Sequence, residues 1–386
     1  MIKVLHVINT LSAGGAELHL LTLCRYQRRH GVEPVVACLR EHVHDSRSLV
    51  CDFENDGIRV VRLRAHKRLG LGFVVTMARL LRHERPAIFH THLPRADFGG
   101  FFARLACPNI PWVCSVHDIH DKSWSGRWTL PLFNFIWRRA DRVIAISHAV
   151  KDWLVAERSV PLQKISVIHY GIDPELFSRP QGGLRREWGL EDKSIIGAIG
   201  RLEPRKGHDC LIRSMSEIRK TVPSAMLVIA GHDPLGYGQE LQRLISNLGL
   251  NQSVRLLGFQ NDIASFLNAL DVFAFATHSE GFGQVVIEAM AAGKATVVTR
   301  IPPLTEIVVD GETGTLVEPG NPLAFAHAIG ELLLNEDKSR AMGDRGKERV
   351  YSRFSSKRMC EETFSLYKDL LRGTGDYVDR FVARAL

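Results

Sequence analysis

The 386-residue chain has no apolar run of the roughly 18–20 residues that a membrane span requires; the stretch FGGFFARLA stops at Arg104. It has no C-x-x-C pair. Its seven cysteines, at 24, 38, 51, 107, 114, 210 and 360, are odd in number and scattered. That pattern argues against a disulfide framework or a structural zinc site and fits a reducing cytoplasm, with the thiols serving as small buried hydrophobes. No D-x-D pair and no His/Asp cluster at metal spacing is present, so no metal is expected. The P-loop spacing G-x-x-x-x-G-K-[ST] is missing, and so is the dinucleotide fingerprint G-x-G-x-x-G. Nothing resembles a nucleic-acid-binding module. The opening MIKVLHVINTL carries one lysine and no cleavage site, and reads as a core strand rather than a signal peptide.

What is present is the composition of a soluble globular protein, 45% apolar and 24% charged, long enough for two domains. Charge is uneven. Residues 1–172 hold 24 Lys and Arg against 14 Asp and Glu, a net +10, whereas residues 173–386 hold 26 against 28, a net −2. A basic first half suits an anionic surface, and an acidic lipid surface is favoured over nucleic acid. Both halves alternate short β-rich runs (KVLHVIN, AIFHTH, SIIGAIG, DVFAFAT) with helical ones. This predicts an α/β fold of two doubly wound, Rossmann-like domains facing a cleft, about 1–172 and 173–364. The stretch KISVIHYGIDPELFSRPQGG joins them as a Gly- and Pro-marked linker. In such sheets, ligands sit at the carboxyl ends of the strands.

Four constellations fall at those ends. In EGFGQVVIEA, Glu280 precedes and Glu288 lies inside a helix expected to open near Gly283. Gly281, Phe282 and Gly283 would offer backbone N–H groups where the helix dipole favours an anion. Two acceptors flanking an anion cradle suit a ligand with both phosphate and hydroxyls, such as a nucleotide-sugar. The bland reading makes Glu280 a helix cap and Glu288 a solvated helix position. In GRLEPRKG, Arg201 and Lys206 follow a strand on a turn shaped by Pro204 and can hold a diphosphate without a metal; Arg205 reads as merely solvated. In NTLSAGGAE, Gly14 and Gly15 allow close backbone approach to a ligand ahead of Glu17. In SVHDIHD, His117 and Asp118 end a strand, as His90 and His92 do in FHTH; most histidines are structural, and these are the ones placed for contact.

Taken in order, AGGAE, HTH, VHD, RADRVIAIS, YGID, GRLEPRKG, EGFGQVVIEAMAAGKATVV and DGETGTLVEPGNP resemble the retaining, nucleotide-sugar-dependent glycosyltransferases of family 4, also called group 1. The resemblance runs from about residue 1 to 370. It implies the two-domain fold of type GT-B, with a C-terminal tail from about residue 365 packing back on the first domain. It also implies that Glu280 contacts donor-sugar hydroxyls and Glu288 the ribose. Arg201 and Lys206 would hold the diphosphate, Gly281 to Gly283 the sugar or phosphate, and Gly14 and Gly15 the donor. His117 would lie near the 6-hydroxyl of the transferred sugar, and the base near Phe259 in LLGFQND. Asp118 and His92 fall on the acceptor or sugar side. The implied reaction moves a hexose-type sugar to a glycan or lipid-linked acceptor by front-face attack, with no cofactor. One departure is visible: where the family commonly has Pro-Asn before Gly-Ile-Asp, this chain has His169-Tyr170.

In the first half, RLRAHKR with Arg79, Arg82 and Arg85, and SWSGRWTLPLFNFIWRR with Trp124, Trp128, Phe133, Phe135 and Trp137, suit peripheral contact with an anionic membrane. The competing reading packs Phe133 and Trp137 into the core. Rival functions are a pyridoxal-phosphate phosphorylase, a sugar-nucleotide epimerase and a non-catalytic sugar-nucleotide sensor.

Overall fold

The computed structural model describes residues 2–40, 48–63, 71–119, 130–178 and 183–372. The chain divides into two compact units: residues 1–171 with 356–386, and residues 172–355.

Unit 1 is built on a seven-stranded, all-parallel sheet of order β3-β2-β1-β4-β5-β6-β7. Its strands are β1 (Ile2–Ile8), β2 (Val32–Cys38), β3 (Arg59–Arg62), β4 (Ile88–His92), β5 (Trp112–Val116), β6 (Arg142–Ala145) and β7 (Ile165–Val167). β4 and β5 are buried at every position, as strands covered on both faces must be. The register pairs Val4 with Ile88, so β1 and β4 sit side by side where the strand order reverses. The terminal helix Ser356–Arg372 belongs to this unit. Its Met359, Phe364, Tyr367 and Leu371 pack with Val4, Leu23, Ile88 and Ile144. The chain thus returns at Ser356, nine residues earlier than the tail suggested by the sequence.

Unit 2 carries a six-stranded parallel sheet of order β10-β9-β8-β11-β12-β13. Its strands are β8 (Ser194–Ile199), β9 (Ala225–Ala230), β10 (Val254–Gly258), β11 (Val272–Phe275), β12 (Ala295–Thr299) and β13 (Thr315–Val317). Its core joins Ile196, Leu227 and Ala274 of the sheet to Leu211, Met215, Phe325 and Ile329 of the covering helices. Here the order reverses between β8 and β11, the place where a doubly wound sheet opens a crevice for a ligand.

Two segments differ from their sequence reading. Ile165–Val167, inside the expected linker, forms the edge strand β7, and Thr315–Val317 forms the edge strand β13. Three residues are too few to display a period. All seven cysteines are free thiols, five of them buried; Cys51 is exposed and Cys107 half-buried, so these two are not core fillers. No helix among the described residues is long and apolar enough to cross a membrane.

Candidate active site

The carboxyl ends of β8 and β11 in unit 2 bring the first two constellations together. After β8, a short 3-10 turn, Pro204–Lys206, ends at Gly207 with φ +65°. Only glycine fits there: a Cβ would lie 2.0 Å from the Ala276 carbonyl oxygen just after β11. That close approach lets the two loops be laced together. The His278 N–H donates to the Arg205 carbonyl at 2.8 Å, and Arg205 Nη1 donates to the Ser279 carbonyl at 3.0 Å. Arg205 is therefore a loop brace rather than a solvated cation; its guanidinium fork reaches Glu203 Oε1 as well.

Lys206 forms an ion pair with Glu280, both side chains about nine-tenths buried at 11% and 12% exposure. Thr277 Oγ1 lies 3.3 Å from the same carboxylate oxygen. Glu280 is thus no helix cap; it holds an ammonium. An ammonium has three donors, so Lys206 can serve Glu280 and still present N–H groups to an anion. Arg201 is more open, at 55% side-chain exposure, and is steadied by Glu203 at 3.2 Å. Its carbonyl lies 3.1 Å from His208 Nε2, and burial pushes that imidazole down to about 4, against the hydrogen bond to Arg201.

The helix Gln284–Ala291 opens at Gly283, whose φ is +104° and whose missing side chain leaves room for Leu304. Gly281 and Gly283 are buried, and the Phe282 ring packs edge-on to Phe354 at 5.8 Å. Phe282 is a core side chain, so only its backbone is available to a donor. Glu288 is buried rather than solvated, at 6% exposure, and accepts a hydrogen bond from Gln284 Nε2 at 2.8 Å. Burial pushes its carboxyl up to about 7, only partly offset by Gln284. A buried carboxyl inside a glycine-opened helix is a costly arrangement for a purely structural residue. Phe259, just past β10, is 38% exposed and follows Gly258 at φ +69°.

In unit 1 the corresponding edge holds the remaining candidates. Gly14 caps the helix Gly15–Arg29 in extended conformation, and Gly15 is exposed. A Cβ on Gly14 would come within 2.7 Å of Glu17, which is itself buried. Asp118 is half-buried, and its Oδ1 accepts from the Ile119 N–H at 2.9 Å. His92 and His117 are buried and joined to each other, His92 Nδ1 to His117 Nε2 at 3.1 Å, while His117 Nδ1 meets the Tyr170 hydroxyl at 2.6 Å. Both ring nitrogens of His117 are thus engaged within the protein.

The sequence shows no histidine cluster, but the fold makes one. Ligand atoms of His6, His90 and His92 lie within 4.8 Å of one another, because β1 and β4 are neighbours. Burial pushes His6 down to about 4 and His19 to about 3, and holds His90, His92 and His117 well below the ordinary imidazole range. His90 is structural, held by Tyr367 at 2.6 Å and Ser115 at 2.8 Å. Sequence reasoning also missed Glu203, Gln284 and Thr277, polar partners that neither spacing nor residue type singles out.

Of the basic and aromatic stretch, Trp124 and Trp128 lie outside the described residues, as do Arg64 to Arg68. Trp137 is core, donating from Nε1 to Asp97 Oδ2 at 2.9 Å. Leu132 and Phe135 are exposed, the latter under the Arg139 guanidinium, and Arg79, Arg82 and Arg85 are exposed as well.

Comparison with known proteins accords with this geometry. Residues 182–349 match the family described as glycosyl transferases group 1, and residues 13–176 match glycosyltransferase family 4. The capsular polysaccharide biosynthesis glycosyltransferase CapM of Staphylococcus aureus is 29% identical over 332 residues, 83% of this chain and 87% of that protein. A GDP-mannose-dependent alpha-(1-6)-phosphatidylinositol monomannoside mannosyltransferase of Mycolicibacterium smegmatis is 32% identical over 275 residues, 67% of this chain and 70% of its own. Among solved structures, Anabaena HepE in complex with UDP and glucose has a TM-score of 0.85 at 23% identity, covering 95% of this chain and 99% of that one, a likeness of fold. The chain is a glycosyltransferase and belongs to group 1, family 4, with the two Rossmann-like units of the GT-B type.

Proposed function

We propose that the chain moves a hexose-type sugar from a UDP- or GDP-linked donor to a glycan or lipid-linked acceptor in envelope polysaccharide or glycolipid synthesis, with retention and without a divalent ion. The observation that carries this reading is the Lys206–Glu280 pair, with Arg201 on the same loop after β8 and the buried Glu288 in the helix that follows β11, at the switch point of the sheet. In this reading the cations meet the charge that develops on the departing diphosphate. Glu280 does two jobs: it fixes the ammonium and offers its remaining lone pairs to sugar hydroxyls. Glu288 accepts from the ribose. The names of the relatives support a nucleotide-sugar donor, since one includes GDP-mannose and HepE was solved with UDP and glucose.

Glycosyl transfer passes through an oxocarbenium-like transition state. In front-face attack the leaving phosphate oxygen takes the acceptor proton, so the protein positions and stabilises rather than supplying a base. Asp118 is the unit 1 carboxylate to test as a nucleophile; Asp118→Asn with unaltered turnover removes it from the chemistry. We place the acceptor on unit 1, and an anionic membrane against the exposed Phe135, Leu132, Arg79 and Arg82. Flotation with acidic liposomes tests that surface, and salt-insensitive absence of binding ends it.

The deciding experiment measures thermal stabilisation and donor consumption across UDP-, GDP- and ADP-sugars. A true donor at a hundred times its Kd adds about 2.7 kcal/mol. Consumption that needs an acceptor supports transfer. Conversion of the donor alone to an epimer, or a strict requirement for manganese, overturns the reading.

A further inference from the structure

Five residues of unit 1, far apart in sequence, form one unbroken line of hydrogen bonds. Gln27 Oε1 lies 3.0 Å from His6 Nε2, and His6 Nδ1 lies 3.1 Å from His92 Nε2. His92 Nδ1 lies 3.1 Å from His117 Nε2, and His117 Nδ1 lies 2.6 Å from the Tyr170 hydroxyl. Gln27, His6 and His92 are fully buried, and His117 and Tyr170 are nearly so. Burial keeps all three imidazoles neutral at pH 7.

A neutral imidazole has one donor and one acceptor. Each contact in the line uses one of each, so the three rings cannot choose tautomers independently. Either every ring carries its proton on Nε2, or every ring carries it on Nδ1. The amide at the inner end breaks the tie. With its oxygen facing His6, Gln27 can only accept, which puts the proton on Nε2 of His6, then of His92, then of His117. His117 Nδ1 is left as an acceptor, and the Tyr170 hydroxyl must donate to it.

We propose that Gln27, His6 and His92 are positioning residues that fix the His117 tautomer and spend the Tyr170 proton inside the protein, so that Tyr170 meets its ligand only as a hydrogen-bond acceptor. This rests on the reading of the unit 1 strand ends as the sugar side. A ligand group that reaches the Tyr170 oxygen must then be a donor, such as a sugar hydroxyl, and an ether or carbonyl oxygen there is disfavoured. His19 stacks on the Tyr170 ring at 4.6 Å and 22°, holding the phenol in the plane the line needs.

The test uses the full-length protein labelled with 15N-histidine. Ring 15N shifts at pH 7.5 should show His6, His92 and His117 all neutral and all protonated on Nε2. Any of the three protonated on Nδ1, or on both nitrogens, overturns the proposal. Gln27→Met removes the fixed acceptor and should move the three rings together to Nδ1–H; unchanged tautomers overturn it. If that variant does not fold, the parent spectrum still decides. For function, Gln27→Met should lower kcat/KM about tenfold, the worth of one misdirected hydrogen bond, and should have no further effect in a Tyr170→Phe background. Additive losses overturn the link to Tyr170. The spectra stand whether or not a donor is found, so failure of the transferase reading and failure of this one are separable.

Discussion

Replacing Lys206 with methionine separates what the Lys206–Glu280 pair does for the fold from what it does for the chemistry. Both side chains are about nine-tenths buried, and among the described residues the carboxylate's other hydrogen-bond partner is the Thr277 hydroxyl. Removing one partner of a buried pair strands the other charge and costs about 3–5 kcal/mol. For a domain of this size each kcal/mol moves Tm by roughly 2–4 °C, so the drop should be about 6–20 °C. Turnover should fall by about 10²–10³, the loss seen when one group that meets developing charge is deleted. The double variant Lys206→Met/Glu280→Gln has no stranded charge. It should recover stability to within about 1 kcal/mol of the parent, while turnover stays low. Calorimetry gives the first quantity, and nucleotide release from the donor gives the second. A single variant with turnover within twofold of the parent refutes the catalytic assignment. A double variant as unstable as the single refutes the stranded-charge account. Arg201, exposed and tied to Glu203, should lose turnover on change to alanine with little change in Tm.

Other outcomes follow from the same geometry. The folded Glu288 carboxyl sits at about 7, above its unfolded value near 4.3, so the folded state binds the extra proton between those two pH values. Stability therefore falls as pH rises through that window and levels off above it; Glu288→Gln should relieve about 3 kcal/mol at pH 7.5 and almost none at pH 4.5, measured by urea unfolding. The buried histidines act in the opposite sense: His6 and His19 titrate at about 4 and 3 when folded, so unit 1 should lose stability as pH falls below about 6. Five of the six tryptophans precede residue 172 and report that loss by fluorescence; a signal flat to pH 4 contradicts it. Gly207→Ala forces a Cβ against the Ala276 carbonyl at a left-handed φ and should cost about 2 kcal/mol or more, read as a lowered Tm of unit 2; a variant as stable as the parent shows that the loops can part freely.

Much of this molecule is legible because the signals are local. A parallel strand such as SIIGAI, buried on both faces after Ser194, must be apolar along that run, and the helix after it must show one apolar stripe. Glu280, Arg201 and Lys206 stand out for the same reason, each lying within seven residues of the carboxyl end of β8 or β11. Pairings across long separations are not legible. His6 and His92 are 86 residues apart, His117 and Tyr170 53, and nothing near any of them announces the partner. Arg205 looks like a surface cation until β11 brings the Ser279 carbonyl beside it. Glu288 looks solvated because its burial depends on what packs around the helix and not on its own neighbours in sequence.

The helix Ser356–Arg372 has a consequence for biosynthesis. Unit 2 is continuous in the chain, whereas unit 1 waits for its last helix until residues 172–355 have left the ribosome. Until then Tyr367 is missing from His90, and Phe364 and Leu371 from the sheet core. Burying each such side chain is worth about 1.5–3 kcal/mol, so the helix as a whole rivals the net stability of an ordinary domain. A premature stop near residue 355 would therefore spare the lobe just translated and cripple the one made first.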